Sequence, residues 1–137
     1  EEKGQMYLDT DIVLALIKKE DWLKEHVHKL NLKDAKTSAL TVIEARIVLD
    51  REYSEEDAKN ALSKIKAMKI EILSVDEEVI EKSQKLIEEY SDIGMFDAVH
   101  VACAIIHNEI IISTDNFFKQ IKEITVKDPR DMDNLLD

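Results

Sequence analysis

Along the chain, hydrophobic positions fall into short runs of two kinds. Met6-Tyr7-Leu8, Lys36 to Leu40, Ile70 to Val75, Ile110-Ile111-Ile112 and Ile124-Thr125-Val126 are brief apolar or alternating stretches, with the length and β-branched content of strands. Between them, apolar residues recur at helical spacing. Ile12, Val13, Leu16 and Ile17 form one set, and Trp22, Leu23, Val27 and Leu30 predict a second helix over Asp21 to Leu30 with those four side chains inward. A third helix begins at Thr41, where Thr41 and Glu44 fit the S/T-x-x-E capping box. Ser54-Glu55-Glu56-Asp57 opens another, with Ala58, Ala61, Leu62, Ile65 and Met68 on one face, and Asp76 opens one that carries Val79, Ile80, Leu86, Ile87 and Tyr90. From Ala98 to Ile106 nearly every residue is apolar, which predicts a central helix buried on most sides. Phe117, Phe118 and Ile121 follow Asp115 as a short helix, and Asp128-Pro129 starts a polar tail.

Strands alternating with helices predict an α/β fold: a central parallel sheet of four to five short strands between two helical layers, α/β/α. Residues 1–5 read as a leader or added remnant, and residues 6–137 as a single domain. Right-handed crossovers place the carboxyl ends of the strands on one rim, where open α/β sheets keep their sites. Asp9 and Asp115 end strands, Glu44 lies at the start of the helix after one, and the helix opening with Asp97 must begin near the same rim. Four carboxylates distant in sequence are therefore expected to meet.

Composition narrows the classes. With 45% hydrophobic and 36% charged residues the 137-residue chain is globular, and no apolar run approaches the roughly 20 residues that span a bilayer. A single cysteine, Cys103, lies inside the apolar helix, so no disulfide forms within the chain; with no basic region leading a long apolar run, the expected location is cytoplasmic. Thirty acidic against 19 basic residues give a net charge of −11, which opposes broad binding to polyanions. A nucleic-acid substrate would need cations and a local basic rim, for which Lys18, Lys19, Arg46, Arg51, Lys119 and Lys122 are candidates.

Two carboxylates about 4 Å apart repel by roughly 4 kcal/mol at an effective dielectric of 20, and a divalent cation removes that strain. All-oxygen ligands select Mg2+ or Mn2+, and the absence of nearby Cys or paired His argues against zinc. The chemistry such a site indicates is metal-assisted phosphodiester hydrolysis. Each acid also has a local explanation: Asp9 as a turn residue, Glu44 in its capping box, Asp97 and Asp115 as helix caps. Thr10, Ser113 and Thr114 either hold a metal-bound water or satisfy backbone groups. His100, one turn beyond Asp97, reads first as a packed core residue and second as a contact to phosphate.

Leu8-Asp9-Thr10-Asp11-Ile12-Val13, Ser38 to Glu44, Phe96-Asp97-Ala98-Val99-His100-Val101-Ala102-Cys103-Ala104 and Ser113-Thr114-Asp115-Asn116-Phe117-Phe118 resemble the four acidic motifs of PIN-domain ribonucleases, with VapC-type toxins of toxin-antitoxin pairs the nearest match. The resemblance runs from Met6 to about Val126. It implies a Mg2+- or Mn2+-dependent endoribonuclease acting on RNA, with Asp9, Glu44 and Asp97 as metal ligands and Asp115 as a more variable fourth acid. It also implies a homodimer inhibited by a small antitoxin protein. Asp11 departs from the pattern, which usually has Ser, Thr or Asn there. Two other readings compete. Asp9-Thr10-Asp11-Ile12-Val13 also fits the D-x-D-x-[TV] pattern of haloacid-dehalogenase-like phosphatases, with Asp9 as nucleophile, and a catalytically silent PIN-like binding module would share the fold.

Overall fold

In the computed structural model, which describes residues 5–134, the five apolar stretches become β1 (Met6–Leu8), β2 (Lys36–Ser38), β3 (Glu71–Leu73), β4 (Ile110–Ile112) and β5 (Val126–Lys127). They form one sheet in the order β3-β2-β1-β4-β5, and every pairing is parallel. Alternation along each strand divides its side chains between two cores. Met6, Leu8 and Ile112 pack with helices α1 (Thr10–Ile17), α2 (Lys24–Val27), α3 (Ala39–Glu52), α4 (Glu55–Lys59) and α5 (Ala61–Ala67). Tyr7, Ile111 and Leu73 pack on the other side with α6 (Glu77–Glu89), α7 (Met95–Ile106) and Phe118 from a 3-10 helix, Asn116–Gln120. The expected three layers are present, and α7 is the buried helix its composition predicts, with every side chain from Ala98 to Ala104 buried. No helix among the described residues is long and apolar enough to cross a membrane.

Several local expectations are corrected. Helix α3 starts at Ala39, two residues before Thr41, with Ser38 at its N-cap; β2 feeds the helix with no intervening loop, so Thr41 falls in the first turn, fully buried, and no capping box with Glu44 forms. The helix expected over Asp21 to Leu30 contracts to α2. Asp21 accepts a hydrogen bond from the Leu23 backbone N–H at 2.9 Å, and this turn leaves Trp22, expected inward, 68% exposed beneath the Arg130 guanidinium. The helix after Ser54 divides at Asn60 into α4 and α5, and Leu62 is exposed rather than part of the buried face. Gln5, expected within the leader, joins the sheet: its carbonyl accepts from Ile110 N–H at 3.0 Å and its side chain from Lys36 Nζ at 2.6 Å. Residues 1–4 lie outside the described residues.

The two rims of the sheet differ. At the amino-end rim, Asp34, Lys69 and Asn108 take positive φ (63°, 62° and 56°) in the turns that lead into β2, β3 and β4. At the carboxyl-end rim the chain leaves β1 through Asp9, β2 through Ser38 directly into α3, and β4 through Ser113. The sequence-predicted acids gather there.

Candidate active site

Asp9 is fixed from three sides. Its backbone N–H still donates to the Ile112 carbonyl at 3.0 Å, its Oδ1 accepts from Thr10 N–H at 2.8 Å as the N-cap of α1, and its Oδ2 accepts from Ser113 Oγ at 2.7 Å. Only 9% of the residue is exposed. Burial and the charge of Asp97 raise its carboxyl above the usual range, against the opposing pull of His100, Ser113 and the Thr10 amide.

Glu44 projects from the second turn of α3. Its Oε1 accepts from Thr10 Oγ1 at 2.6 Å and from His100 Nε2 at 2.8 Å. Burial pushes this carboxyl up, but the bonds from His100 and Thr10 and the charge of His100 outweigh burial and hold it below its ordinary value. His100 Nε2 also lies 3.9 Å from Asp9 Oδ1, so one imidazole joins two of the expected acids. Burial opposes charge on this ring. The Glu44 hydrogen bond and the charges of Asp9, Glu44 and Asp97 prevail, and its pKa is raised.

Asp97 occupies the first turn of α7, half-buried and with no hydrogen-bond or ion-pair partner among the described residues. Burial first, then the charges of Asp115 and Glu44, raise its carboxyl, with His100 pulling the other way. Asp115 is exposed and caps the 3-10 helix through a 2.9 Å bond from Phe117 N–H, as its local reading expects, while its charge still reaches Asp97. Asp11 lies within reach of the Asp9 charge; its Oδ2 accepts from Thr114 Oγ1 at 2.5 Å, and its Oδ1 is buried with no partner among the described residues.

The structure thus brings Asp9, Glu44 and Asp97 to one place around His100, with Asp115 at its margin. Thr10 and Ser113, open between two roles in the sequence, position carboxylates. Tyr7 and Ser38 are residues that sequence reasoning missed as site components: the Tyr7 hydroxyl, 2.6 Å from His100 Nδ1, was hidden in an apolar strand, and its only signal was a phenol in a strand otherwise without polar atoms. Lys18, a candidate for the basic rim, pairs with Glu52 and Asp21 at the far end of α1.

The donor set fits a hard divalent cation. It is all oxygen apart from His100, whose Nε2 is committed to Glu44, and it contains a half-buried carboxylate, Asp97, with no donor of its own. The acids are gathered but not closed around a point: among the described residues, no three His, Cys, Asp or Glu side chains stand close enough to hold one ion together.

A family model described as PIN domain matches residues 6–124. A toxin-antitoxin complex from Klebsiella pneumoniae contains a chain 22% identical to this one, with 90% of this chain and 97% of that one aligned at a TM-score of 0.69. DNA-bound VapBC from Salmonella typhimurium gives 17% identity over 91% and 98% of the two chains, with a TM-score of 0.76. VapC20 from Mycobacterium tuberculosis, described as a sarcin-ricin loop cleaving toxin, gives 15% identity over 84% and 93%, with a TM-score of 0.72. At these identities the likeness is one of fold. A search of curated protein sequences gives no match.

Proposed function

Since the chain belongs to the PIN domain family, we propose that it is a metal-dependent endoribonuclease, the toxin of a toxin-antitoxin pair, that hydrolyses RNA at the rim formed by Asp9, Glu44, Asp97 and Asp115. The observation that supports this reading best is Asp97. A half-buried carboxylate beside Glu44 and Asp115, with no hydrogen-bond donor, is an arrangement that a cation relieves and that packing alone does not explain.

Mg2+ or Mn2+ held by Asp9, Glu44 and Asp97, with Asp115 at the edge, would supply Lewis-acid activation for hydrolysis of a phosphodiester. The chain's own residues prepare that site. Ser113 and the Thr10 amide fix Asp9, so its carboxylate keeps one orientation. Thr10 Oγ1 and His100 fix Glu44. Asp97 lies in the first turn of α7, at the positive end of its dipole, with no hydrogen-bond or ion-pair partner among the described residues. The phosphatase reading, with Asp9 as nucleophile, has less support, because it leaves Glu44, held by Thr10 and His100, and Asp97 without a role.

Two partners belong to the same proposal. A small antitoxin is the first, in keeping with the toxin-antitoxin complexes that share this fold. The second is another copy of the chain, docked on the apolar surface made by Ile43 and Ile47 of α3 and Met95 and Phe96 of α7, all exposed.

The test is RNA cleavage by wild type and Asp97→Asn with Mn2+ or Mg2+ and with EDTA. Loss of a group that merely orients a metal ligand costs about 10–100-fold, so removing a ligand is expected to cost at least that much, and EDTA to abolish cleavage by the wild type. The metal-free Asp97→Asn protein is expected to be as stable as wild type or more so, because repulsion is relieved. Equal cleavage in all conditions contradicts the proposal, and Mn2+ binding with every RNA pool left intact points instead to a silent binding module.

A further inference from the structure

His100 is 1% exposed inside α7, where every side chain from Ala98 to Ala104 is buried and an unpaired imidazole would be costly. Both ring nitrogens are engaged. Nδ1 lies 2.6 Å from the Tyr7 hydroxyl, which itself donates to Ser38 Oγ at 2.8 Å. Nε2 faces Glu44 Oε1 at 2.8 Å, and a carboxylate can only accept, so Nε2 is the donor. Ser38 ends β2 and Tyr7 lies in β1, both at the centre of the sheet, so the ring is braced from rigid elements. The Tyr7 ring, tilted at 59° with centroids 5.7 Å apart, packs against the imidazole and restricts it further. On the other side of Glu44 the Thr10 hydroxyl donates to the same Oε1 at 2.6 Å. Both protein donors therefore converge on one oxygen of Glu44, and Oε2 receives none from the described residues.

We propose that His100 is a positioning residue for Glu44: braced by Tyr7 and Ser38, it shares Oε1 with Thr10 and so leaves Oε2 as the oxygen offered to the rim. The proposal rests on the reading of Glu44 as a cation ligand. It extends that reading by giving the buried Ser38–Tyr7–His100 chain a task in the site, the kind of outer-shell support that orients a ligating carboxylate. A purely structural histidine would behave differently. A leucine of similar size would then replace it well, and a glutamine, polar and unbranched, would replace it badly. A positioning role reverses that order, because the glutamine side-chain N–H can still donate to Oε1.

The experiment uses crystal structures of metal-free wild type, His100→Leu, His100→Gln and Tyr7→Phe, with Mn2+ calorimetry on the same four proteins. In His100→Leu, the Glu44 carboxylate is expected to leave its contact with Thr10, and Mn2+ affinity to fall about 10–100-fold. His100→Gln is expected to keep Glu44 in place and to recover most of that affinity, and Tyr7→Phe to lose less than His100→Leu. Glu44 unmoved in His100→Leu, or His100→Gln as impaired as His100→Leu, overturns the proposal. If His100→Leu does not fold, His100→Gln and Tyr7→Phe decide it: Mn2+ affinity of Tyr7→Phe equal to wild type, with Glu44 unmoved, overturns it. If the wild type binds no Mn2+, the metal-site reading fails on its own, and the position of Glu44 in the metal-free structures still decides the role of His100.

Discussion

Asp11 stands two residues from Asp9, and burial together with the Asp9 charge pushes its carboxyl up to about 6, against the lowering bonds from Thr114. An unfolded aspartate titrates near 3.9. Between about pH 4 and 6 the folded protein therefore binds more protons than the unfolded chain, and the metal-free stability falls as pH rises through that window. Asp9, Asp97 and His100, also raised, add slopes of the same sign, while Glu44, lowered, opposes them. Asp11→Asn, whose amide oxygen can still accept from Thr114, is expected to gain about 3 kcal/mol relative to wild type at pH 7.5 and little at pH 4. Urea unfolding of the metal-free proteins at the two pH values measures this, and an equal difference at both contradicts it. That Asp9, Glu44, Asp97 and Asp115 lie toward one rim was legible in the sequence, because each sits at a recognisable strand end or helix start. Their partners were not legible. Glu44 matched a local capping box with Thr41, which does not form because α3 starts two residues earlier, and its actual partners, Thr10 and His100, come from other elements.

The elements were legible where periodicity was long and unbroken. Helices α6 and α7 and strand β4 lie where apolar spacing predicts them, since thirteen-residue amphipathic and twelve-residue apolar patterns admit few alternatives. Helix α2 and the α4–α5 break were not, because a side-chain turn at Asp21 and an interruption at Asn60 leave the apolar spacing almost intact. The amino-end rim carries strain of its own. Lys69 follows the end of α5 with φ 62°, a conformation that costs an ordinary residue about 1–2 kcal/mol and glycine nothing. Glycine's greater freedom in the unfolded chain returns about 0.5–1 kcal/mol of that. Lys69→Gly is thus expected to stabilise by about 0.5 kcal/mol, read as a higher denaturant midpoint at unchanged slope. A lower midpoint would show that the Lys69 side chain contributes more than its backbone costs.

On the scale of the whole molecule, four exposed apolar side chains, Ile43, Ile47, Met95 and Phe96, flank two of the rim acids. Glu44 lies between the exposed Ile43 and Ile47 along α3, and Asp97 directly follows the exposed Met95 and Phe96, so a partner covering these side chains would border the acidic site. If that partner is a second copy, Ile47→Glu with Phe96→Glu is expected to convert a dimer into a monomer in sedimentation equilibrium; a monomeric wild type contradicts the dimer. With a net charge of −11, a second acidic site next to the first would make cation binding more necessary rather than less. The central claim is that acids from β1, α3 and α7 serve one cation, and anomalous diffraction from crystals soaked in Mn2+ tests it most directly. The account predicts a manganese peak within ligand distance, about 2.0–2.3 Å, of carboxylate oxygens from both Asp9 and Asp97; a peak bound elsewhere, or none at millimolar Mn2+, contradicts it.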